Sequence, residues 1–176
     1  MTDPSEGGID ATWIARIRES VPLPVLRRQM VVDAYDLWES RLLGADAVVL
    51  VAEALTEGSV IDFQILASEL GMTSVIEVSD EWNLLRVIAH VGFPHASGCL
   101  VAIDNRDSET GGADLAVSTR LAELVEGRRV LVSEGGIRTP RDVARLRHHG
   151  FHLALVGRGA DAGEVEATLR RLLQSS

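Results

Sequence analysis

Six short apolar runs recur along the chain, separated by longer stretches in which apolar residues have helical spacing. The runs cover residues 25–32, 47–51, 74–78, 99–103, 129–132 and 152–156. They are nearly continuous in valine, isoleucine, leucine and alanine, which is typical of strands buried on both faces of a parallel sheet. Between two of them, Val60, Phe63, Leu66 and Leu70 form one apolar helix face. The pattern predicts alternating strands and helices, and hence an α/β fold.

Capping signals mark where several of the predicted helices begin and end. Thr139 precedes Pro140, which places a capping hydroxyl before a proline at the first helical position. Gly150 predicts the end of that helix before the strand at residue 152. Asp10 is the predicted cap of a helix over residues 11–21. These signals divide the chain into strand-plus-helix units of about 25 to 30 residues.

Two α/β architectures fit six such units. An eight-stranded (β/α) barrel typically has about 250 residues, and this chain of 176 residues provides too few units for one. A doubly wound parallel sheet is therefore a competing fold, although the glycines at residues 134–137 and 157–159 lack the spacing of a dinucleotide-binding fingerprint. Because no linker is recognisable, we expect loose residues 1–9 and a single domain over residues 10–176.

Composition narrows the classes of function. The net charge is −9 and no basic tract occurs, which argues against nucleic acid and against an anionic membrane surface as partners. No apolar run reaches the roughly 18 residues that would span a bilayer, and the N-terminus has no features of a secretion signal. The lone Cys99 lies in an apolar run and is interpreted as a small buried hydrophobic residue. We therefore expect a cytoplasmic protein.

Charged residues follow several of the predicted strands, where a (β/α) barrel carries its chemistry. Glu77 ends one strand between apolar neighbours, so we expect it to be paired, protonated or functional as a general acid or base. Glu134 ends another strand and precedes Gly135 and Gly136, which would let backbone N–H groups approach an anion ahead of a helix near Thr139. A plain tight turn is the alternative interpretation of the two glycines.

Arginines at other strand ends favour a phosphorylated or carboxylated substrate. Gly157 and Arg158 follow the last strand, where a guanidinium can join backbone donors in binding phosphate. The same ligand suits Arg27, Arg28 and Arg106, although any one of them could serve only as an ion-pair partner of Glu77 or Asp104.

Two further interpretations concern metal binding and the tryptophans. Asp104 has a second carboxylate nearby but no suitably spaced histidine, so no metal site is expected. The three tryptophans are interpreted as packing helices against the sheet; they are Trp13, Trp38 and Trp82.

An ordered set of motifs resembles the indole-3-glycerol phosphate synthase family. The segment LPVLRRQMVVDAY at residues 23–35 is similar to that family's LPVLRKDFIIDPY, and GADAVVL at residues 44–50 to its GADAVLL. EVSDE at residues 77–81 is similar to EVHDE, and DNRD at residues 104–107 to NNRD. SEGGIRTP at residues 133–140 and LVGR at residues 155–158 complete the set, beside the family's SESGIRTP and LVGE.

The resemblance implies a TIM-type (β/α) barrel enzyme that needs no cofactor. That family closes an indole ring on carboxyphenylamino-deoxyribulose phosphate, with loss of CO2 and water, by acid–base catalysis. By position, the resemblance assigns catalytic roles to Arg28, Glu77, Asp104 and Glu134. It assigns phosphate binding to the loops with Gly135, Gly136, Gly157 and Arg158, and Arg106 is a further candidate for binding the substrate.

The chain departs from the family at three places. Arg28 stands where the family has a lysine acid, Asp104 replaces an asparagine, and Gly135 replaces a serine. The family's first two strands also have no counterpart, so the resemblance implies an incomplete barrel of about six parallel strands alternating with helices. We expect the open edges to pair with another chain, as a homo-oligomer or a hetero-complex.

Three functions remain open at this stage. The first is a lyase of the indole-3-glycerol phosphate synthase type that is weakened, repurposed or completed by a partner chain. The second is a cyclase, lyase or isomerase acting on a different phosphorylated or carboxylated substrate, which the changes at Arg28 and Asp104 favour because they alter the charge of the site. The third is a non-catalytic remnant or assembly partner.

Overall fold

A computed structural model describes residues 12–91, 99–107, 110–125 and 131–156, with residues 166, 167 and 170. Six helices of α type lie within these ranges: α1 Thr12–Ser20, α2 Ala34–Leu42, α3 Glu57–Glu69, α4 Glu81–Arg86, α5 Ala116–Ala122 and α6 Pro140–His148. The six strands there are β1 Leu26–Arg27, β2 Ala47–Val51, β3 Thr73–Val78, β4 Cys99–Asp104, β5 Leu131–Glu134 and β6 Leu153–Leu155. Every described pair of strands is parallel.

The fold is α/β, an incomplete TIM-type (β/α) barrel in which strands and helices alternate along the chain. This confirms the architecture that the resemblance implied. The doubly wound sheet is excluded, because the strands lie in the sheet in the same order as in the chain. The predicted loose segment at residues 1–9 lies outside the described residues. A single domain over residues 10–176 stays a prediction.

The first strand is much shorter than its apolar run. The pattern predicted a strand over residues 25–32, whereas β1 covers Leu26–Arg27 alone. The chain turns early because Asp33 and Asp36 form a capping box at the start of α2. The Asp36 carboxylate also accepts a hydrogen bond from the Val32 N–H at 2.8 Å, which takes that residue out of the strand.

Contacts divide the chain into two compact units. In the first, β2 lies between β1 and β3, with Leu26 opposite Ala47 and Val51 opposite Glu77. Its core consists of buried residues from β2, α2, α3 and the adjoining turns: Val31, Leu37, Ala45, Val48, Leu50, Ala67 and Met72. Phe63, Leu66 and Leu70 of the predicted α3 face pack against this core.

In the second unit, β5 lies between β4 and β6. Its buried hydrophobic residues come from these strands and the segments that follow them, and include Val101, Ala102, Ile103, Leu115, Leu121, Leu131, Val132, Ile137, Leu146 and Phe151. The start of α6 was predicted correctly. The Thr139 side chain caps the helix in a capping box with Asp142, and Pro140 occupies the first turn. Gly150 follows the helix with a φ of +84°.

The interpretation of the tryptophans was wrong. Trp13, Trp38 and Trp82 are 44%, 57% and 69% exposed, so none is buried between a helix and the sheet. The Trp13 ring instead lies 4.4 Å from the guanidinium carbon of Arg16, one turn further along α1. None of the described helices is long and apolar enough to cross a membrane.

Candidate active site

Arg28 and Glu77 form an ion pair at the C-terminal ends of β1 and β3 in the first unit. Glu77 lies near the end of β3 and Arg28 directly follows β1, with β2 between the two strands. The Arg28 guanidinium donates a hydrogen bond to the Glu77 carboxylate. Each side chain is only 10% exposed. The buried carboxylate is therefore paired, which is one of the states that its apolar sequence context predicted.

The adjacent Arg27 has a different task. Its guanidinium donates to Ser40 Oγ at 3.0 Å and to the Glu39 carboxylate at 2.6 Å, and it also reaches Gln29. Ser40 and Glu39 both belong to α2, so Arg27 fastens this helix to the end of β1. It is 5% exposed and lies among its protein partners. Of the two successive arginines, Arg28 is the one that joins the predicted catalytic glutamate.

In the second unit, the ends of β4 and β5 bring two predicted catalytic carboxylates side by side. Asp104 and Glu134 are register partners in the parallel pair of strands. The Asp104 carboxylate accepts a hydrogen bond from the Arg106 backbone N–H at 3.0 Å. Glu134 is 1% exposed, which makes it one of the largest fully buried side chains among the described residues. Two acidic groups at adjacent strand ends can divide proton donation and acceptance between them.

The two glycines after Glu134 form a tight turn that requires glycine. Gly135 and Gly136 have φ values of +78° and +75°. A Cβ on Gly135 would lie 3.2 Å from Arg106 Nε, and a Cβ on Gly136 would lie 3.2 Å from the Ala113 Cβ. The loop after β4 therefore lies directly against the turn. The Gly135 N–H donates to the Leu155 carbonyl at 3.2 Å, so anion binding at this turn stays a prediction and cannot use that donor in this arrangement.

The start of α6 already holds an anion of its own. The Asp142 carboxylate accepts hydrogen bonds from the Arg138 N–H at 3.0 Å and the Thr139 N–H at 2.8 Å. Burial by itself raises the pKa of Asp142, but these hydrogen bonds and one from the Thr139 hydroxyl lower it overall. The Arg138 and Thr139 N–H groups at the start of this helix are thus engaged with a side chain.

Other predicted site residues are placed as follows. Arg106 lies in the loop after β4, where it forms an isolated antiparallel bridge with Ala113. Gly157 and Arg158 lie outside the described residues. Within the described ranges, no group of three or more histidine, cysteine or acidic side chains could hold a metal ion.

Asn105 is a site residue that the sequence analysis missed. It is 2% exposed and its carboxamide lies between the ends of β4 and β5. The only available signal was a polar residue between two charged ones directly after a strand. That signal does not distinguish a buried amide from a solvated one.

The fold and the charged strand ends define a (β/α)-barrel protein with acidic and basic side chains where such barrels carry chemistry. The sequence profile of the family "Indole-3-glycerol phosphate synthase" matches residues 1–172. The chain belongs to this family.

Individual relatives agree with that assignment. An indole-3-glycerol phosphate synthase from Rhodopirellula baltica is 40% identical over 152 residues, which cover 86% of this chain and 56% of the relative. Another from Desulfotalea psychrophila is 36% identical over 167 residues, covering 92% of this chain and 62% of the relative. The chain thus spans little more than half the length of these curated relatives.

A solved structure supports the fold alone. A mandelate oxidase mutant with a monooxide FMN adduct superposes with a TM-score of 0.62, covering 88% of this chain and 57% of that chain. Its sequence identity is 16%, which is too low to carry a function across.

Proposed function

We propose that this chain is a lyase of the indole-3-glycerol phosphate synthase type. It would close an indole ring on a carboxyphenylamino-deoxyribulose phosphate with loss of CO2 and water. The observation that carries the proposal is the ion pair of Arg28 and Glu77 at strand ends, in a chain of this family. The proposal is also supported by Asp104 and Glu134, which lie side by side at the ends of β4 and β5.

Arg28 acts in this proposal as a fixed positive charge. A guanidinium stays protonated throughout the physiological range, so it does not deliver a proton to the substrate carbonyl as a lysine would. It can polarise that carbonyl, or hold the carboxylate that is later lost as CO2, with the geometry fixed by Glu77. The expected consequence is slow ring closure rather than altered binding.

The carboxyl groups carry out the proton transfers in this proposal. Glu77 keeps Arg28 in place through their ion pair. In this proposal Glu77 contacts the same part of the substrate as Arg28. Asp104 and Glu134 are assigned to the dehydration, where one carboxyl group removes a proton and the other assists departure of the hydroxyl as water. The substrate's anionic part is proposed to bind at the loops that contain Arg106, Gly135, Gly136, Gly157 and Arg158, through donors other than the Gly135 N–H.

A second candidate is a cyclase, lyase or isomerase acting on a different phosphorylated or carboxylated substrate. Arg28 favours it, because replacing a proton donor by a permanent cation changes what the site does best. A carboxylate at Asp104, in place of a neutral amide, adds a negative charge to the site. Substrates that need a fixed cation and no strong acid would fit such a site.

The first test is indole formation from carboxyphenylamino-deoxyribulose phosphate by the purified chain, followed by absorbance. Turnover that disappears in a Glu77→Gln variant shown to be folded by circular dichroism supports the proposed lyase. Arg28→Lys should then raise kcat and add a basic limb to the pH profile, because an ammonium group can donate its proton. Arg27→Lys is the matched control, and it should leave the pH profile unchanged since Arg27 contacts α2. A folded chain without turnover would set aside this reaction for the isolated chain and favour the second candidate.

Association through open edges stays a prediction. Among the described strands, β1 and β6 each pair on one side only, and Leu23, Met30 and Val32 beside β1 are more than half exposed. Light scattering at several protein concentrations would detect an oligomer. A constant monomer mass would contradict the prediction.

A further inference from the structure

The carboxamide of Asn105 uses both its donor and its acceptor side. Its Nδ2 lies 2.9 Å from Ser133 Oγ and 3.0 Å from the carbonyl oxygens of both Glu134 and Gly135. Its Oδ1 accepts a hydrogen bond from the Ser118 N–H at 2.9 Å. Two amide hydrogens are thus shared among three acceptors, while the oxygen is engaged with the segment that begins α5.

The contacts fix the two peptide groups on either side of Gly135. The carbonyls of Glu134 and Gly135 belong to consecutive peptides, and the intervening Gly135 has a φ of +78°. The Asn105 backbone N–H also donates to the Glu134 carbonyl, at 2.9 Å. A glycine turn would otherwise be the most adaptable part of this segment, because glycine has no Cβ to limit its dihedral angles. Asn105 removes that freedom where the turn begins.

We infer that Asn105 is a positioning residue that fixes the Glu134 carboxylate by holding the Glu134–Gly135 turn. The inference rests on the proposed function, in which Glu134 takes part in proton transfer. Glu134 is buried to 1% exposure at the end of β5, so the direction of its side chain follows the backbone that Asn105 holds. A displacement of about 1 Å at such a group can reduce turnover about 100-fold.

Asparagine is the side chain that this arrangement demands. Aspartate has the same shape, but when ionised it offers only acceptors. It would keep the contact with the Ser118 N–H and lose every donated hydrogen bond to the turn. It would also bring a negative charge against the carbonyls of Glu134 and Gly135.

The test compares Asn105→Asp with Ser118→Ala. The Ser118 hydroxyl bonds Ser133 Oγ at 2.8 Å in the same buried cluster, but no side-chain contact of Ser118 to the turn is described. Ser118→Ala therefore controls for loss of a hydrogen bond in the cluster. We expect Asn105→Asp to lower kcat by about 10- to 100-fold with KM within about threefold, while Ser118→Ala keeps kcat within about threefold. Asn105→Ser, which buries no charge, serves as the second variant if Asn105→Asp does not fold.

Two spectroscopic readouts separate this inference from the proposed function. They are the 13C chemical shift of the Glu134 carboxyl carbon and the hydrogen-exchange rate of the Gly135 N–H, both measured by NMR. If the wild-type chain has turnover, a loss in kcat confined to the Asn105 variants supports the inference, and equal losses in the Ser118 variant overturn it. If the wild-type chain has none, the proposed function fails. A change of both readouts in the Asn105 variants alone still supports the positioning, and unchanged readouts overturn it.

Discussion

Arg28 and Glu77, which lie 49 positions apart in the chain, meet as a nearly buried ion pair with each side chain 10% exposed. Taking two charges out of water is unfavourable unless the partners meet with good geometry. Their proximity follows from the parallel order of β1, β2 and β3, which carries the two residues to one edge of the same three strands.

Removing one member of the pair should destabilise the first unit. Glu77→Gln leaves the Arg28 guanidinium without its carboxylate in a nearly buried place, and we expect the free energy of unfolding to fall by about 3 kcal/mol. Urea denaturation monitored by circular dichroism measures this change. Glu39→Gln is the matched control, because the Glu39 carboxylate is 32% exposed and Arg27 keeps its hydrogen bonds to Ser40 and Gln29 when it is removed. It should cost about 1 kcal/mol or less. Equal losses in the two variants would contradict the assigned difference in burial.

The close approach of Arg106 to Gly135 can be measured with a second glycine as reference. Gly135→Ala adds a Cβ at 3.2 Å from Arg106 Nε on a backbone with a φ of +78°. Gly71→Ala adds one at a φ of +72° with no atom within 4 Å, so it reports backbone strain alone. We expect Gly71→Ala to cost about 1 kcal/mol and Gly135→Ala clearly more, in thermal or urea unfolding. Identical costs would mean that Arg106 moves aside freely.

The carboxylate of Asp142 should make stability depend on acid pH. Its pKa is lowered because the hydrogen bonds at the start of α6 outweigh the effect of burial. A lowered pKa in the folded state stabilises the fold above the unfolded value of about 3.9, and this contribution is lost as pH falls through the folded pKa.

The matched variant is Asp142→Asn, which removes the titrating group. The difference in unfolding free energy between wild type and Asp142→Asn should be constant near neutral pH and shrink as pH falls below about 4. Thr139→Ala removes the capping hydroxyl from the other side of the box and should cost about 1 kcal/mol at neutral pH. A wild-type advantage that persists unchanged into acid would contradict this account.

Cys99 should be an unreactive thiol in the folded chain. Burial raises its pKa to about 12, against a smaller opposing effect of a hydrogen bond with Gln64. The reactive thiolate is therefore scarce at neutral pH, and labelling by a disulfide reagent should be slow until urea unfolds the chain. Because the pKa of Cys99 is raised in the folded state, the stabilising contribution of the neutral thiol is complete below the unfolded pKa. This contribution is lost as pH rises toward about 12. The stability of wild type relative to Cys99→Ser should accordingly fall as pH rises from about 9 toward about 12. Rapid labelling of the native chain at neutral pH would contradict this prediction.

Sequence patterns predicted where strands and helices begin and end better than they predicted what packs against individual side chains. The strand at Ala47–Val51 was placed at its observed bounds, and the cap at Thr139 was identified from local residues alone. Both signals are local, since burial on two faces requires a continuous apolar run and a cap acts within one helical turn. The tryptophans failed for the opposite reason. Their exposure depends on what packs against each helix, and residue type does not report this.

The sequence by itself determined the α/β alternation, the family and the charged positions at the strand ends, because these depend on short-range periodicity and on ordered motifs. The tertiary structure decided which charges meet. It assigned Arg28 to Glu77 and Arg27 to α2, although the two arginines are adjacent and chemically alike. It also placed the Asn105 carboxamide against the turn after β5. Such pairings join residues far apart in the chain, so they are set by strand order and register, which no local pattern contains.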